Sequence, residues 1–342
     1  MRTNFIHGSI QNNGLAVPLV TDRLEIKDYL GSFMVRWGIN RGNYMVNTGL
    51  FAIGNPDSSS DVFVSANYKL SFDSLRKNLA GINGWILVLD TKGVNVWCAA
   101  GKGTFGTKEL VRLIKNVSLD KIVIHRRIIV PQLGATGVAA HIVKEETGFN
   151  VHYGPVRADD INDFIAAGYR ATKEMRKITF KFSERGKLIP NDFVYGKFYL
   201  FGALAVVFLL SLIGKHDFSG YSLNDGFKAM LNIFLGYCSG VVVTPAILPF
   251  IPFRRFAVKG FITGIVLSII LLFLNLTGEN LFENISWFLL LSAISSFLAM
   301  NFTGSSTYTS LSGVKKEMKT AVPLQIIFAA AGILLMILGK IF

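Results

Sequence analysis

One cysteine, Cys98, has the sequence surroundings of a reactive group. It lies in the segment Asn95-Val-Trp-Cys-Ala-Ala-Gly-Lys102, between a strand-like run at residues 85–90 and a helix-like run at residues 107–116. An isolated cysteine is commonly a small buried hydrophobic residue. A thiol at a helix start and near a lysine ammonium group is instead favoured as thiolate, the nucleophilic and metal-binding form. We therefore interpret Cys98 as the residue around which the chemistry of this chain is organised.

The elements around Cys98 predict an α/β domain. Short apolar strands alternate with helices, which is typical of a doubly wound, mostly parallel sheet of Rossmann-like type. The predicted strands are residues 49–53, 61–65, 85–90, 121–124 and 149–153, and the predicted helices are residues 71–79, 107–116, 136–147 and 158–167. Residues 1–48 predict a loop-rich lead-in, and residues 177–182 predict one further strand.

Ligands of such sheets bind beyond the C-terminal ends of the strands, where the chain changes direction. The loops at that edge are predicted to be residues 65–69, 91–107, 131–137 and 154–157. Cys98 lies within the second of these loops. Its position in the sequence therefore agrees with a role in ligand binding.

The composition divides the chain into two parts. Its 342 residues are 51% hydrophobic with a mean hydropathy of +0.44, which is unusually apolar for a soluble protein of this length. Apolar residues concentrate after residue 195 and charged residues before residue 193. We therefore predict a soluble domain at residues 1–180, a polar linker at residues 181–195 and an all-α membrane domain at residues 196–342.

Five apolar stretches in the second part approach the length of a membrane-spanning helix once their flanks are counted. They are residues 198–214, 229–251, 261–276, 285–301 and 321–338. Pro245 and Pro249 predict a kink or break near the end of the second stretch. The five stretches predict five transmembrane helices.

Alternate loops between these stretches are basic, which predicts an inner-membrane protein with a cytoplasmic N-terminal domain and its C-terminus outside. The N-terminus has no long apolar core, so no secretory signal peptide is expected. Cysteine thiols stay reduced in the cytoplasm. The net charge of +13 comes from scattered basic residues without interleaved aromatic residues, so nucleic-acid binding is not expected.

Other motifs give no alternative centre of chemistry. The sequence Gly101-Lys-Gly-Thr-Phe-Gly106 matches G-x-G-x-x-G, but it does not directly follow a strand and lacks the later acidic residue of a dinucleotide site. We interpret its glycines as residues that let the loop bend tightly. Cys238, the second of two cysteines, lies in an apolar run and is interpreted as a packing residue, with passage of a metal ion as the alternative. The histidines show no metal-ligand spacing, and they are His7, His125, His141, His152 and His216.

The segment Asn95–Lys102 resembles the cap-helix motif of the mercury-methylating corrinoid proteins (the HgcA family) at all eight positions. The similarity extends over nearly the whole chain, including the segment at residues 302–317. It implies a corrinoid-binding domain similar to the large subunit of the corrinoid iron–sulfur protein, followed by five membrane spans. This chain has no cluster cysteines, unlike that large subunit.

The resemblance implies a cobalamin-type cofactor with Cys98 as the lower axial ligand of cobalt, and therefore as the catalytic and metal-binding residue. A thiolate is a soft, electron-donating ligand, which favours delivery of the upper methyl group in a form that a soft electrophile such as Hg(II) accepts. Asn95 and Trp97 would shape the cap, whereas Lys102 would either tune the thiolate or remain solvated.

The cofactor-binding residues implied by this reading fall in the cap motif and in three strand-end loops. The cap residues are Asn95, Val96, Trp97, Cys98, Ala99, Ala100, Gly101 and Lys102. Loop residues expected on position alone are Asn67, Tyr68, Gln132, Leu133, Gly134, Ala135, Gly154, Pro155, Val156 and Arg157. An ordinary turn is the alternative interpretation of each loop residue.

The resemblance also implies partners. They are a ferredoxin-like protein with two [4Fe–4S] clusters as electron donor, a methyltetrahydrofolate-linked methyl donor and Hg(II) as substrate. The leading hypothesis is thus a membrane-anchored, corrinoid-dependent methyltransferase that forms methylmercury. Two alternatives remain open from the sequence: a corrinoid methyl carrier with a different native acceptor, and a membrane transporter or sensor whose soluble domain binds a ligand.

Overall fold

The computed structural model describes residues 4–12, 14–179, 181–213, 223–302 and 311–341. The chain divides into two compact units. The first unit contains residues 1–35 and 39–179, and the second contains residues 36–38 and 180–342.

The first unit is built on a seven-stranded mixed sheet. Its strands are β1 (Ile6–Asn12), β2 (Leu15–Val20), β3 (Gly49–Ile53), β4 (Asp61–Ala66), β5 (Gly84–Leu89), β6 (Arg127–Val130) and β7 (Asn150–Tyr153). The strand order is β1-β2-β3-β5-β4-β6-β7. Strands β5, β4, β6 and β7 are parallel, whereas β3 runs antiparallel to β5 and β1 antiparallel to β2.

Helices cover both faces of this sheet. Those of the first unit are α1 (Ile26–Arg36), α2 (Lys69–Asn78), α3 (Val96–Lys102), α4 (Thr107–Asn116), α5 (Leu119–Ile122), α6 (Ala140–Thr147) and α7 (Ile161–Ala166). Side chains of α4 and α6 pack with Trp85 and Leu87 of β5 in one core. Side chains of α2 and α7 pack with Ile86 and Val88 in the other core. The alternation along β5, buried on both faces, is the pattern expected of a doubly wound sheet.

Several predicted elements differ from the structure. Residues 121–122 end the short helix α5, and the strand lies further along the chain at β6. The predicted helix at residues 136–147 begins only at Ala140. The residues described between 177 and 182 form no strand, and the predicted linker at residues 181–195 contains two helices, α8 (Phe182–Gly186) and α9 (Ile189–Tyr195). Short apolar runs such as residues 121–124 fit a strand and a helix equally well, so tertiary packing decides between them.

The prediction of a loop-rich segment at residues 1–48 is wrong. This segment forms the β1–β2 hairpin and α1, which are anchored by a buried charge network. Asp28 of α1 accepts hydrogen bonds from Lys69 Nζ at 2.6 Å and from Arg76 Nη2 at 2.7 Å. Asp73 pairs with the same two cations, and all four side chains are at most 7% exposed. The partners of Asp28 are more than 40 positions away, so no local pattern could have revealed this anchor.

The second unit is helical. Its further helices are α10 (Lys197–Ile213), α11 (Leu223–Cys238), α12 (Thr244–Ile247), α13 (Phe256–Phe273), α14 (Leu281–Asn301) and α15 (Leu311–Ile341). A π-helical turn at Ser239–Val243 separates α11 from α12, and a 3₁₀ turn follows at Leu248–Phe250. The predicted break in this stretch is therefore confirmed.

Among the described residues, four helices are long and apolar enough to cross a membrane. They cover residues 224–250, 256–273, 281–301 and 313–339. The first of the five predicted spans, residues 198–214, meets the length criterion only as a pair of helices, Phe182–Tyr195 and Lys197–Ser211, bent by 50°. The prediction of five continuous spans is thus confirmed for four of them.

Candidate functional site

Helix α3 places Cys98 at the edge of the sheet where the parallel strands end. Asn95 precedes the helix with extended backbone angles, and its side-chain Oδ1 accepts a hydrogen bond from the Cys98 backbone N–H at 2.9 Å. Asparagine is among the best residues for this capping position, because its amide oxygen satisfies a backbone donor that the helix leaves unpaired. The Asn95 side chain therefore fixes the backbone that carries the Cys98 thiol.

The two sides of α3 have different surroundings. Ala99 and Ala100 are buried in the core of the first unit, at 0% and 5% exposure. Cys98 is half-buried with a free thiol, and Gly101 and Lys102 are exposed. The helix thus presents a thiol and a side-chain-free position toward the outside of the domain. This arrangement leaves room for a flat group to approach the thiol.

Glycine allows the chain to bend tightly after α3, as the sequence predicted. Gly103 ends the helix with φ of 80°, a left-handed conformation that glycine adopts without strain. The backbone N–H groups of Thr104 and Phe105 then donate to Ala99 O at 2.9 and 3.1 Å. These bonds turn the chain back under the helix, and Phe105 becomes fully buried.

The loop after β6 packs against this turn. A Cβ at Gly137 would overlap Phe105 O and lie 3.1 Å from Ala100 Cα, and a Cβ at Gly134 would overlap the Phe105 ring. Thr107 locks the loop, because its N–H donates to Gly137 O at 3.0 Å and its Oγ1 accepts from Ala139 N at 2.8 Å. The structure therefore brings Gly134 of the predicted site against the base of the α3 segment.

Asn67, predicted to bind the cofactor, organises the loop that leads into α3. Its Oδ1 accepts hydrogen bonds from Thr91 Oγ1 at 2.8 Å, Thr91 N at 3.1 Å and Gly93 N at 3.0 Å. Its Nδ2 donates to Asp90 Oδ1 at 3.2 Å, and Val94 O lies 2.7 Å from Thr91 Oγ1 as a second acceptor for the same hydroxyl. These bonds set the path of the chain immediately before Asn95. Thr91 is fully buried and was missed from the sequence, where it is only a polar residue after a strand.

Gln132 links two of the predicted loops and has a buried side-chain oxygen without a described partner. Its backbone N–H donates to Pro155 O at 3.3 Å, which ties the loop after β6 to the loop after β7. Its side-chain Oε1 is buried and accepts no hydrogen bond from any described residue. Buried polar atoms are nearly always hydrogen-bonded, so such an atom calls for a partner. Gln132 thus supports the prediction that this loop contacts a ligand.

The remaining predicted residues are placed as follows. Tyr68 is buried at 5% exposure at the start of α2, and Leu133 packs against the core beside the sheet. Gly154 follows β7, and the Val156 N–H donates to Met175 O at 2.8 Å. Arg157 pairs with the neighbouring Asp159 at 2.6 Å. All four predicted loops follow C-terminal ends of the parallel strands, which places them at one edge of the sheet.

Charges near the start of the α3 loop are held by local pairs. Asp90 pairs with Lys92, and hydrogen bonding from Lys92 lowers the pKa of the Asp90 carboxyl below its usual value. Asp90 N–H donates to Glu109 Oε1 at 3.0 Å, and Glu109 pairs with Arg112 at 2.7 Å. These acidic groups are engaged in shaping the loop.

The described residues contain no group of three or more histidine, cysteine, aspartate or glutamate side chains that could hold a metal ion. His216 and residues 303–310 of the predicted family segment lie outside the described residues.

Comparison with known proteins places the similarity in the domain that carries Cys98. Residues 36–165 match the family model of the CO dehydrogenase/acetyl-CoA synthase delta subunit. The chain is 32% identical over 122 residues to the acetyl-CoA decarbonylase/synthase complex subunit gamma of Archaeoglobus fulgidus, and that alignment covers 35% of this chain and 26% of the relative. It is 32% identical over 124 residues to the corrinoid/iron-sulfur protein large subunit of Moorella thermoacetica, covering 36% of this chain and 27% of the relative.

The corresponding gamma subunit of Methanopyrus kandleri is 30% identical over 122 residues, which cover 35% of this chain and 26% of that subunit. The chain thus spans about a quarter of the length of the curated relatives it matches. The matched segment contains strands β3 to β7 and the whole of α3. It includes neither the hairpin and α1 nor the apolar helices after residue 180.

Proposed function

We propose that this chain, whose residues 36–165 match the CO dehydrogenase/acetyl-CoA synthase delta subunit family, is a membrane-anchored corrinoid protein that carries a methyl group. One observation carries the proposal. A half-buried free thiol, Cys98, lies on a capped helix at the C-terminal edge of parallel strands, where α/β sheets bind their ligands. A corrinoid is named in the description of the Moorella thermoacetica relative.

The residues at this edge suit a corrinoid. Cys98 would supply a thiolate ligand to the cobalt ion of a corrinoid. Ala99, Gly101 and the turn at Gly103 add little side-chain bulk, and no heavy atom lies within 4 Å of a Cβ placed at Gly101 or Gly103. The buried Oε1 of Gln132 would accept a hydrogen bond from an amide of the corrinoid periphery. When bound, a corrinoid supplies a cobalt centre that accepts and releases a methyl group.

The protein's own groups would then hold and tune that centre. Asn95 fixes the Cys98 backbone, and Asn67 with Thr91 fixes the loop before it, so the sulfur position is set before the cofactor arrives. A thiolate donates more electron density to a metal than an imidazole or a water does. We infer that this donation favours transfer of the methyl group to a soft electrophile, with Hg(II) as the acceptor.

Partners follow from what the chain contains. An iron–sulfur cluster of the common types takes four cysteine thiolates, and this chain has two cysteines. The electrons that reduce the cobalt centre would therefore come from a separate protein. A ferredoxin-like protein with two [4Fe–4S] clusters is the candidate. The methyl group would come from a methyltetrahydrofolate-linked donor. Several relatives are described as subunits of a complex, which supports a protein partner.

The second unit would anchor the site to the cytoplasmic membrane. Four described helices are long and apolar enough to span a bilayer, and the bent pair before them supplies a fifth candidate. Basic loops on alternate sides support a cytoplasmic first unit and an external C-terminus.

Corrinoid binding to the purified full-length protein tests the proposal. We expect the wild-type protein in detergent to bind a corrinoid and to change its absorbance spectrum. The Cys98→Ser variant should bind more weakly and lack the wild-type spectral change. Cys238→Ser removes the other thiol and serves as the matched control, with wild-type binding expected. No binding by wild type would exclude a corrinoid protein, and identical spectra for wild type and Cys98→Ser would exclude axial ligation.

The methyl acceptor needs a separate assay. Protein loaded with a methylated corrinoid is incubated with Hg(II) or with small thiols, and the methylated products are quantified. Faster transfer to Hg(II) would support mercury methylation, whereas preferred transfer to thiols would favour a methyl carrier with a different native acceptor. The Cys98→Ser variant should lose transfer to Hg(II) in the same assay.

A further inference from the structure

Helix α1 has its charged anchor on the inside and its apolar side chains on the outside. Asp28, Gly31 and Val35 face the domain interior and are buried. The opposite face contains four large apolar side chains that are more than half exposed. They are Ile26 at 84%, Tyr29 at 56%, Leu30 at 57% and Phe33 at 59%. At 100° per residue these four form one stripe, which reverses the usual polarity of a surface helix.

The charge network prevents the helix from turning this stripe inward. Asp28 is 3% exposed and hydrogen-bonds to Lys69 and Arg76. Its carboxylate also accepts from the Glu25 N–H at 3.1 Å, which fixes the first turn of the helix. A rotation that buried Leu30 would leave two buried cations without one of their carboxylates, which is strongly unfavourable. The outward direction of the stripe is therefore set by the fold.

Basic side chains flank the stripe. Residues 22–41 contain four basic residues, Arg23, Lys27, Arg36 and Arg41. The acidic residues there are Asp22, Glu25 and the buried, paired Asp28. An exposed apolar helix face with basic residues beside it is the pattern of a helix that lies at the surface of a bilayer.

The same chain contains helices that could span a bilayer. The described part of the second unit contains four helices that are long and apolar enough to cross a membrane. The match to the CO dehydrogenase/acetyl-CoA synthase delta subunit family begins at residue 36, the last residue of α1. The apolar stripe therefore lies outside the matched segment. We propose that α1 is an interfacial helix whose stripe (Ile26, Tyr29, Leu30 and Phe33) inserts at the boundary of headgroups and acyl chains. This holds the first unit against the membrane independently of what that unit binds.

Depth-dependent fluorescence quenching on the full-length protein tests this placement. Both native cysteines are replaced by serine, and a cysteine introduced by Leu30→Cys is labelled with an environment-sensitive dye. The protein is reconstituted in vesicles of phosphatidylcholine and phosphatidylglycerol, with or without a lipid that bears a quencher high on its acyl chain. We expect loss of most of the dye emission with the quencher lipid and little quenching by aqueous iodide. Label at Ile26→Cys should behave in the same way.

Lys77→Cys is the matched control, because Lys77 is exposed on α2 of the same unit and lies outside the stripe. Label there should be quenched by iodide and not by the lipid. Quenching at Leu30→Cys by iodide alone would overturn the proposal. Protection from both quenchers would also overturn it, because the stripe would then be covered by protein.

Discussion

Asn95 and Cys98 are joined by the hydrogen bond at the centre of the proposed site. The side chain of one residue caps the helix on which the other presents its thiol, through a 2.9 Å hydrogen bond to the Cys98 N–H. The two residues are three positions apart, so this relation is local and readable from sequence. The absorbance experiment tests whether the Cys98 thiol ligates the cobalt ion of a bound corrinoid.

The cap predicts a measurable effect on the backbone at Cys98. Replacing an asparagine cap by alanine typically costs about 1 kcal/mol, or about a fivefold loss of protection against hydrogen exchange. We expect faster exchange in the peptide containing residues 95–102 of Asn95→Ala, measured by mass spectrometry on the full-length protein. Asn95→Asp keeps an acceptor oxygen and should exchange like wild type. Equal exchange in wild type and Asn95→Ala would contradict the capping role.

Asp28 predicts a dependence of stability on acid pH. Burial by itself raises the pKa of this carboxyl, but hydrogen bonds from Lys69 and the Glu25 N–H, with the charges of Lys69 and Arg76, outweigh it and lower the pKa from 3.8 to about 2. The folded-state pKa is depressed, so the stabilisation is fully present above pH 3.8 and is lost as the pH falls toward about 2. The difference corresponds to about 2 kcal/mol of unfolding free energy.

Denaturant unfolding of the full-length protein between neutral and acid pH measures this contribution of Asp28 to the free energy of unfolding. Asp28→Asn should be destabilised by about 3–5 kcal/mol at neutral pH, because Lys69 and Arg76 stay buried with one carboxylate fewer. It should also lose part of the decline in stability between about pH 4 and pH 2. Parallel pH profiles for wild type and variant would show that Asp28 does not titrate as inferred.

At the scale of elements, the site depends on the close approach of the loop after β6 to the turn after α3. Gly137 and Gly134 permit this approach, since a Cβ at either position would overlap Phe105. The approach fixes the base of α3, while the outer side of the helix at Gly101 stays open. Gly137, in the loop after β6, thus permits close packing, whereas Gly101, in α3, leaves open space.

These roles predict different outcomes for two alanine variants. Gly137→Ala should destabilise the first unit by about 1–3 kcal/mol, because its Cβ meets backbone atoms that cannot move aside. Gly101→Ala should keep or raise stability by up to about 1 kcal/mol, since alanine favours helix over glycine. If a corrinoid lies against α3, Gly101→Ala should nevertheless weaken corrinoid binding. Thermal unfolding and corrinoid titration of both variants measure the two effects, and unchanged binding by Gly101→Ala would place the macrocycle elsewhere.

At the scale of the whole molecule, the chain consists of an α/β unit and a helical unit. The candidate membrane spans among the described residues all lie in the helical unit. The α/β unit is held by two apolar cores and a buried charge network, and the helical unit by close helix contacts. In the latter, a Cβ at Gly264 would lie 2.6 Å from Ser292 Cα, and one at Gly260 would lie 2.9 Å from Ser296 Cα. Glycines spaced four apart allow such contact between α13 and α14, as in many membrane helix pairs.

The number of spans predicts the location of the C-terminus. If the bent pair Phe182–Tyr195 and Lys197–Ser211 crosses the membrane, five spans place the C-terminus outside when the first unit is cytoplasmic. If that pair does not cross, four spans return the C-terminus to the cytoplasm. We expect a C-terminal alkaline phosphatase fusion to be active and a C-terminal green fluorescent protein fusion to be dark. The reverse result would assign four spans.

Much of the architecture could be predicted from local patterns. Strand β3 and helix α4 have the predicted bounds, β4 and β7 differ by one residue at one end, and β5 is shifted by one residue. The irregular helix near Pro245 and Pro249 was also predicted, because helix breaking by proline depends on residues a few positions apart. The hairpin and α1 were missed, since their anchor joins Asp28 to residues on α2. The first predicted span, residues 198–214, corresponds to α10, which reaches the length of a candidate span only together with the helix before its 50° bend.

By itself, the amino-acid sequence determined the division into an α/β part and an apolar helical part, the position of Cys98 at a strand-to-helix turn, and the cap that precedes it. These follow from periodicity, composition and short-range hydrogen bonding. The tertiary structure alone decided that Asn67 sets the path into α3, that Gly137 supports its base, that Gln132 Oε1 is buried without a described partner, and that α1 turns its apolar face outward. Each of these depends on groups that are distant in sequence and meet only when the sheet has formed.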